Sequence, residues 1–292
     1  MLAYMVTGSQ SMSGRTCVVT GANGGIGKEI SCGLASRGAR VVMVARDALR
    51  GEAARAEVVD RSGNDRVELL VCDLASQRQV RELASKVLEK CEQLDVLVNN
   101  AGLTLGDHLL TEDGIETTFA VNHLAPFLLT NLLLDRLQES APARVVTVAS
   151  DAHRGNVIDF EDVSATGGYS SWRAYGASKL ANILFTGELA RRLDGSGVTA
   201  TCLHPGVVRT GFGRRGPSFI RLWFKLAGSF LLTPEKGADT AVWLAASPEV
   251  EGQSGGYYEK RRLSQPSQAA RDPESAVRLW QLSLELTGLK TG

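Results

Sequence analysis

Neither sign of charge prevails in this chain: 32 lysines and arginines meet 32 aspartates and glutamates over 292 residues, for a formal net charge of +0 at pH 7. No positive field is therefore available to draw a nucleic acid, and no polybasic block marks an anionic membrane. Cysteine is scarce and odd in number. Cys17, Cys32, Cys72, Cys91 and Cys202 are scattered and mostly lie inside apolar segments, which argues against a disulfide framework and for free thiols packed as small hydrophobes in a reducing compartment. Histidine is rarer still, and none of His108, His123, His153 and His204 stands at metal-ligand spacing from another, which argues against zinc chemistry. The stretch 1–14 has neither a basic start nor an apolar run of the roughly 20 residues a membrane span needs. It is expected to be a tail on a soluble, cytoplasmic protein. No repeat or low-complexity linker divides the rest of the chain, so residues 15–292 are expected to form a single domain.

What the chain does have is alternation. Short β-branched runs at 17–20, 41–45, 67–71, 96–98, 145–148 and 199–203 are separated by longer segments of helical period. Buried strands alternating with helices build βαβ units and a parallel sheet, so the expected class is α/β, a Rossmann-type doubly wound sheet with helices on both faces. Ligands of such sheets sit outside the carboxyl ends of the strands, near the switch in strand order. Two stretches interrupt the alternation. Residues 151–173 are polar, and 211–233 contain an apolar, aromatic segment at 219–232.

The first strand runs directly into Thr20-Gly21-Ala22-Asn23-Gly24-Gly25-Ile26-Gly27. Glycine here allows a tight turn and a close approach of backbone to a pyrophosphate, which would rest on the unpaired N–H groups of the following helix. At the end of the second strand an NAD-preferring fold offers a carboxylate to the ribose 2′-hydroxyl. This chain has Ala45 and then Arg46, and a guanidinium suits a 2′-phosphate. NADP(H) is therefore the preferred cofactor, with NAD(H) the alternative. Asp73 and Leu74 end the third strand, where the carboxylate suits an adenine amino group. Asn99-Asn100-Ala101-Gly102 ends the fourth, where Asn99, Ala101 and Gly102 place small residues and backbone dipoles against adenosine and ribose.

Ser150 follows the fifth strand, and the next long helix carries Tyr175-Gly176-Ala177-Ser178-Lys179. Residues four apart share a helix face, so the Lys179 ammonium is expected near the Tyr175 phenol. A phenol with a pKa of about 10 becomes a usable base only where positive charge favours the phenolate.

These motifs, spread from Thr20 to Lys179, resemble the short-chain dehydrogenase/reductase family, whose pattern is T-G-x-x-x-G-x-G, then N-N-A-G, a catalytic serine and Y-x-x-x-K. More narrowly, V-N-H-L-A-P-F-L-L-T from Val121, the helix from Tyr175, H-P-G-V-V-R-T from His204 and R-L-W-Q-L-S-L-E-L-T-G from Arg278 resemble the retinol dehydrogenase and WW-domain oxidoreductase branch. The resemblance implies a catalytic tetrad of Asn122, Ser150, Tyr175 and Lys179. Tyr175 would be the acid/base, Ser150 would bond the substrate oxygen, Lys179 would lower the phenol pKa and hold the nicotinamide ribose, and Asn122 would anchor a relay water. Pro205, Gly206, Val208 and Thr210 match the turn that meets the nicotinamide carboxamide. The implied activity is an NADP(H)-dependent alcohol dehydrogenase or carbonyl reductase acting on a small apolar substrate, with 211–233 as its lid. Peripheral membrane contact through 219–232 and a homo-oligomer are compatible with this pattern. Two positions depart from it: Ala149 stands where a second serine is common, and Gly24 where NADP-preferring relatives often carry a basic residue. The competing readings are a silent binding or scaffold protein on the same fold, and an epimerase or dehydratase, whose usual G-x-x-G-x-x-G the spacing of Gly21, Gly25 and Gly27 does not fit.

Overall fold

The computed structural model describes residues 11–208 and 231–290. Six strands arise where the β-branched runs predict them, each within two residues of the expected limits: β1 (Thr16–Thr20), β2 (Arg40–Ala45), β3 (Val67–Val71), β4 (Val96–Asn99), β5 (Ala143–Val148) and β6 (Val198–His204). Two short strands, β7 (Tyr257–Glu259) and β8 (Arg262–Ser264), complete an eight-stranded sheet of order β3-β2-β1-β4-β5-β6-β7-β8. Every pairing is parallel except the β7–β8 hairpin. The order reverses between β1 and β4, which both pair with neighbours running the same way, and opens a crevice at their carboxyl ends.

Both sheet faces are covered, which is why the strands read as continuous apolar runs instead of alternating ones. On one face lie α1 (Gly25–Ala35), α2 (Ala48–Ser62) and α8 (Pro234–Ala246), contributing Ile30, Leu34, Ala54, Val58, Ala238 and Leu244 to one core. On the other lie α3 (Gln77–Lys90), α5 (Ala125–Leu132), the short α6 (Leu134–Glu139), α7 (Ser171–Arg192) and α9 (Pro273–Thr287), with Val80, Leu83, Phe127, Phe185, Trp280 and Leu284 inside. Burial of each such large side chain is worth about 1.5–3 kcal/mol. Residues 11–14 join the first face, where Met12 is buried and its N–H donates to the Arg37 carbonyl at 2.7 Å.

Helix termini separate structure from site. The first-turn N–H groups of α2 are capped by Asp47, those of α3 by Ser76 and those of α9 by Asp272. The start of α1 has only Gly24 as its N-cap, no side-chain cap and no acidic residue in its first turn. Its orphan N–H groups point out at the carboxyl end of β1, at the crevice.

The polar stretch after β5 begins with a 3₁₀ turn, Asp151–His153, and gives way to α7 at Ser171. The Asp162 carboxylate accepts from the Thr166 and Gly167 N–H groups, and the Tyr169 hydroxyl donates to the Leu105 carbonyl. Thr210 and all but the last three residues of 211–233 lie outside the described residues. Leu232 pairs with Val208 in a parallel bridge, its N–H donating to the Val207 carbonyl at 2.9 Å.

Candidate active site

The glycine turn is clamped to the end of β4. Thr20 Oγ1 accepts from the N–H groups of Asn100 and Ala101, each at 3.0 Å, and Asn100 Nδ2 donates back to the Thr20 carbonyl at 2.8 Å. Gly21 takes φ +66°, and a Cβ on it would stand 2.8 Å from Ala101 Cα. A Cβ on Gly27 would stand 2.3 Å from the Gly21 carbonyl oxygen and 2.4 Å from Asn100 Nδ2. Both positions therefore require glycine to let the turn, α1 and β4 close on one another. Gly25 also lies in the left-handed region, at φ +53°. Gly24 differs, since a Cβ there meets nothing within 4 Å, so Gly24 faces open space beside the bare helix terminus. Asn23 and Ile26 complete the turn, and Ile26 packs on the α1 face of the core.

Around this cradle stand the other nucleotide-side candidates. Arg46 follows the last residue of β2, is exposed, and forms no ion pair with a described residue. The neighbouring Asp47 carboxylate, which by position alone competes for the same ligand group, accepts the Arg50 N–H at 2.9 Å as the cap of α2. Asp73 makes a local turn, its Oδ1 accepting from Ala75 N–H at 3.0 Å, and Leu74 packs on the core behind it. Asn99 is buried, with Nδ2 donating to Thr130 Oγ1 at 3.0 Å, while its Oδ1 has no partner among the described residues.

The second group of candidates meets one strand further along. Lys179 is buried, and its Nζ donates to the Val148 carbonyl at the end of β5 at 2.9 Å. The same ammonium lies 5.7 Å from the centre of the Tyr175 ring. A Cβ on Gly102 would stand 3.3 Å from Lys179 Nζ and 3.4 Å from Asn122 Oδ1, so Gly102 joins the end of β4 to this group. Asn122 sits in a π turn, Ala120–Leu124, between α4 (Thr117–Phe119) and α5. Such one-turn bulges re-aim a side chain out of helical register. Its Nδ2 donates to the Leu103 carbonyl and to Ser178 Oγ, each at 2.9 Å, and its Oδ1 accepts from Leu103 N–H at 2.8 Å. Ser150 caps the 3₁₀ turn, accepting from Ala152 N–H at 3.2 Å. Burial pushes the Tyr175 phenol up to about 12, with the Ser150 hydroxyl bonded to it working the other way. Burial pulls Lys179 down to about 8. The i,i+4 spacing leads one to expect an acidified phenol, whereas desolvation of both side chains disfavours a phenolate–ammonium pair until further positive charge is nearby.

On the far side, β6 ends at His204 and turns through Pro205 and Gly206, the latter at φ +82°. Val208 is buried against α8, where a Cβ on Gly237 would stand 2.6 Å from Val208 Cγ2 and 3.3 Å from Ile26 Cγ1. The turn after β6 and the start of α1 thus converge over the same crevice. Sequence reasoning passed over Ser178 and Leu103, the partners of Asn122, and over His153 and His204, which hold the Ser150 turn. Ser178 and His204 lay within motifs, and Leu103 and His153 did not.

A nucleotide cradle at a bare helix terminus, with a serine after β5 and a tyrosine and a lysine on α7 beside it, defines a dinucleotide-binding α/β oxidoreductase. Residues 15–217 match the model of the short chain dehydrogenase family, and the chain belongs to that family, whose members use a nicotinamide cofactor. It is 44% identical to mouse retinol dehydrogenase 12, over 97% of this chain and 90% of the relative. It is likewise 44% identical to human retinol dehydrogenase 13, over 96% and 86%. Among solved structures it resembles an uncharacterized protein of Mycobacterium paratuberculosis at TM-score 0.79 and 36% identity, covering 96% of each chain. It also resembles the Pseudomonas aeruginosa RhlG/NADP active-site complex at TM-score 0.68 and 29% identity, covering 85% of this chain and 94% of the other.

One expectation is corrected by these findings. The chain is not to be placed simply in the cytoplasm, because relatives matched along nearly its whole length are retinol dehydrogenases 11 to 14. Their named substrate, retinol, is an apolar alcohol that partitions into lipid, which points away from a purely cytoplasmic protein. No helix among the described residues is long and apolar enough to cross a membrane.

Proposed function

We propose that residues 15–292 form one catalytic domain that exchanges a hydride between NADP(H) and an apolar alcohol, aldehyde or ketone, with Tyr175 as acid and base. The observation that carries this reading is the meeting of Gly102, Asn122, Ser150, Tyr175 and Lys179 at the carboxyl ends of β4 and β5, next to the glycine cradle. The residues present fit the cofactor: open space borders Gly24, the N–H groups around Gly25, Ile26 and Gly27 carry no side-chain cap, and Asn99 Oδ1 has no partner among the described residues. Those N–H groups would hold the pyrophosphate, Arg46 the 2′-phosphate, Asp73 and Leu74 the adenine, and Asn99, Ala101 and Gly102 the adenosine and ribose. Tyr175 and Lys179 would reach the second ribose, with Pro205, Gly206 and Val208 at the carboxamide. The solved RhlG structure with NADP supports the cofactor choice, and the retinol dehydrogenase relatives support an apolar substrate.

When bound, the nicotinamide supplies or accepts the hydride. The protein handles the proton. Tyr175 gives its phenolic proton to the carbonyl oxygen, or takes one from the alcohol, and the Ser150 hydroxyl donates to that oxygen as charge builds on it. Lys179, held by Val148, places its ammonium behind the phenol and favours the phenolate against the burial that opposes it, and a bound, oxidised nicotinamide would supply further positive charge in the same direction. Asn122 fixes Leu103 and Ser178, and both of its amide N–H groups are committed to them. A water relayed to Lys179 would take the remaining lone pair of Oδ1.

The test is turnover of a panel of carbonyl compounds, from acetaldehyde to decanal and all-trans-retinal, with NADPH and with NADH. Activity that rises with apolar length and favours NADPH is the expected result. Absence of turnover with every compound and both cofactors would leave a binding protein on the same fold.

A further inference from the structure

We infer that His153 is the positioning residue for the Ser150 hydroxyl, tying the serine turn to the chain segment after β8. This rests on the reading of Ser150 as the group that bonds the substrate oxygen. His153 is fully buried, and neither of its ring nitrogens bonds a reacting side chain. Its Nδ1 lies 2.7 Å from the Ser150 carbonyl, which can only accept, so Nδ1 carries the proton and donates. Its Nε2 accepts from the backbone N–H of Ser267 at 3.0 Å, so Nε2 carries none. Both ring nitrogens are therefore used, and a single neutral tautomer satisfies both partners. The ring stands edge-on to Tyr257 of β7, 5.4 Å between centres.

The same turn is held from two further sides. Asp151 N–H donates to His204 Nδ1 at 3.2 Å, and Asn156 Nδ2 donates to the Ala152 carbonyl at 2.8 Å. Asn156 in turn occupies the space above Gly176, where a Cβ would stand 2.2 Å from its Nδ2, so the brace reaches the residue next to Tyr175. The Ser150–Asp151 peptide gives its N–H to His204 Nδ1 and accepts at its carbonyl from both the His153 backbone N–H at 3.2 Å and His153 Nδ1 at 2.7 Å, and the shortest of the three is the His153 side-chain bond. It fixes the carbonyl of the residue whose hydroxyl must meet the substrate, and a misplacement of about 1 Å at such a group can cost about 100-fold in rate.

Two substitutions separate positioning from packing. His153→Leu keeps an apolar body against Tyr257 and removes the donor, whereas His153→Asn shortens the side chain and keeps an N–H near the place of Nδ1. With decanal and NADPH, His153→Leu is expected to lower kcat about 10- to 100-fold with the Kd for NADPH within about twofold. His153→Asn is expected to recover most of that loss. In a Ser150→Ala background, adding His153→Leu is expected to change kcat by less than about twofold, because the hydroxyl it positions is gone. Wild-type kcat in His153→Leu, a greater loss in His153→Asn than in His153→Leu, or losses that multiply in the double variant would overturn the inference. Wild-type turnover in Ser150→Ala alone would overturn the underlying reading instead.

Discussion

Gly27→Ala should damage both the fold and the nucleotide site, and Gly24→Ala, three residues earlier in the same motif, should leave the fold intact. The Cβ added at 27 would lie 2.3 Å from the Gly21 carbonyl oxygen and 2.4 Å from Asn100 Nδ2. Restoring an ordinary contact requires a displacement of about 1 Å. Neither obstacle is a free side-chain end, because the carbonyl belongs to the turn and the Asn100 amide bonds the Thr20 carbonyl at 2.8 Å. Overpacking costs about 1–3 kcal/mol and the strained amide bond about 1 kcal/mol. The helix propensity of alanine returns up to about 1 kcal/mol. A net loss of about 1–3 kcal/mol corresponds to a Tm lower by roughly 3–10 °C for a chain of this size. Because the displaced atoms form the cradle itself, the Kd for NADPH, read by quenching of tryptophan fluorescence, should rise at least tenfold. At position 24 no protein atom lies within 4 Å, so Tm should stay close to wild type. Equal behaviour of the two variants would refute the claim that the cradle closes on Gly27.

Tyr175→Phe keeps the ring and deletes the ionisable oxygen, so turnover should fall by about 10²–10⁴-fold while NADPH affinity changes little; substantial residual activity would assign the proton to another group. Arg46→Asp should weaken NADPH binding by about 10- to 100-fold and improve NADH, as expected from losing a charged hydrogen bond and gaining a partner for the free hydroxyl. A wild-type enzyme that already prefers NADH would sink that argument. Burial holds the His123 imidazole down at about 3 in the folded chain. Its unfolded value is near 6.5, so neither state is protonated there at higher pH and the group contributes no pH dependence. As pH falls from about 6.5 toward 3, the unfolded chain takes up a proton the folded chain does not, and stability is lost, by about 3 kcal/mol between pH 7 and pH 4. Urea unfolding of wild type and His123→Phe at both pH values should show the variant losing less on acidification, and parallel losses would refute the assignment.

How far the residue pattern carries can be seen strand by strand. The first six strands are readable because valine-rich runs buried on both faces need no partner to be recognised. β7 and β8 are three residues each, shorter than any period the pattern can display, and they exist because β6 offers an edge. The site was readable where chemistry demands a residue type at a chain junction, as at Gly21, Gly27 and Tyr175. It was unreadable where the role is set by a partner far along the chain. His153 resembles any polar loop residue until Ser267, more than a hundred positions later, donates to it. Asp47 looks like a competitor of Arg46 until its carboxylate is found capping α2. The acidified phenol expected from the Tyr175–Lys179 spacing assumed solvent around the pair, and spacing carries no information about burial.

The end of β4 shows why the two halves of the site behave as one. Asn100 and Ala101 give their N–H groups to Thr20, and the Asn100 amide lies against Gly21 and Gly27, so this tetrapeptide sets the width of the nucleotide cradle. One residue later, Gly102 faces Lys179 Nζ and Asn122 Oδ1, and Leu103 exchanges two hydrogen bonds with Asn122. Residues 100–103 follow the last residue of β4, and this short stretch touches the glycine turn through Asn100 and Ala101 and the lysine through Gly102. A side chain at Gly21 would push on Ala101, and through Gly102 the strain would reach the group that moves the proton. Binding and chemistry therefore share a single short stretch of backbone, and substitutions on either flank are expected to show up in both.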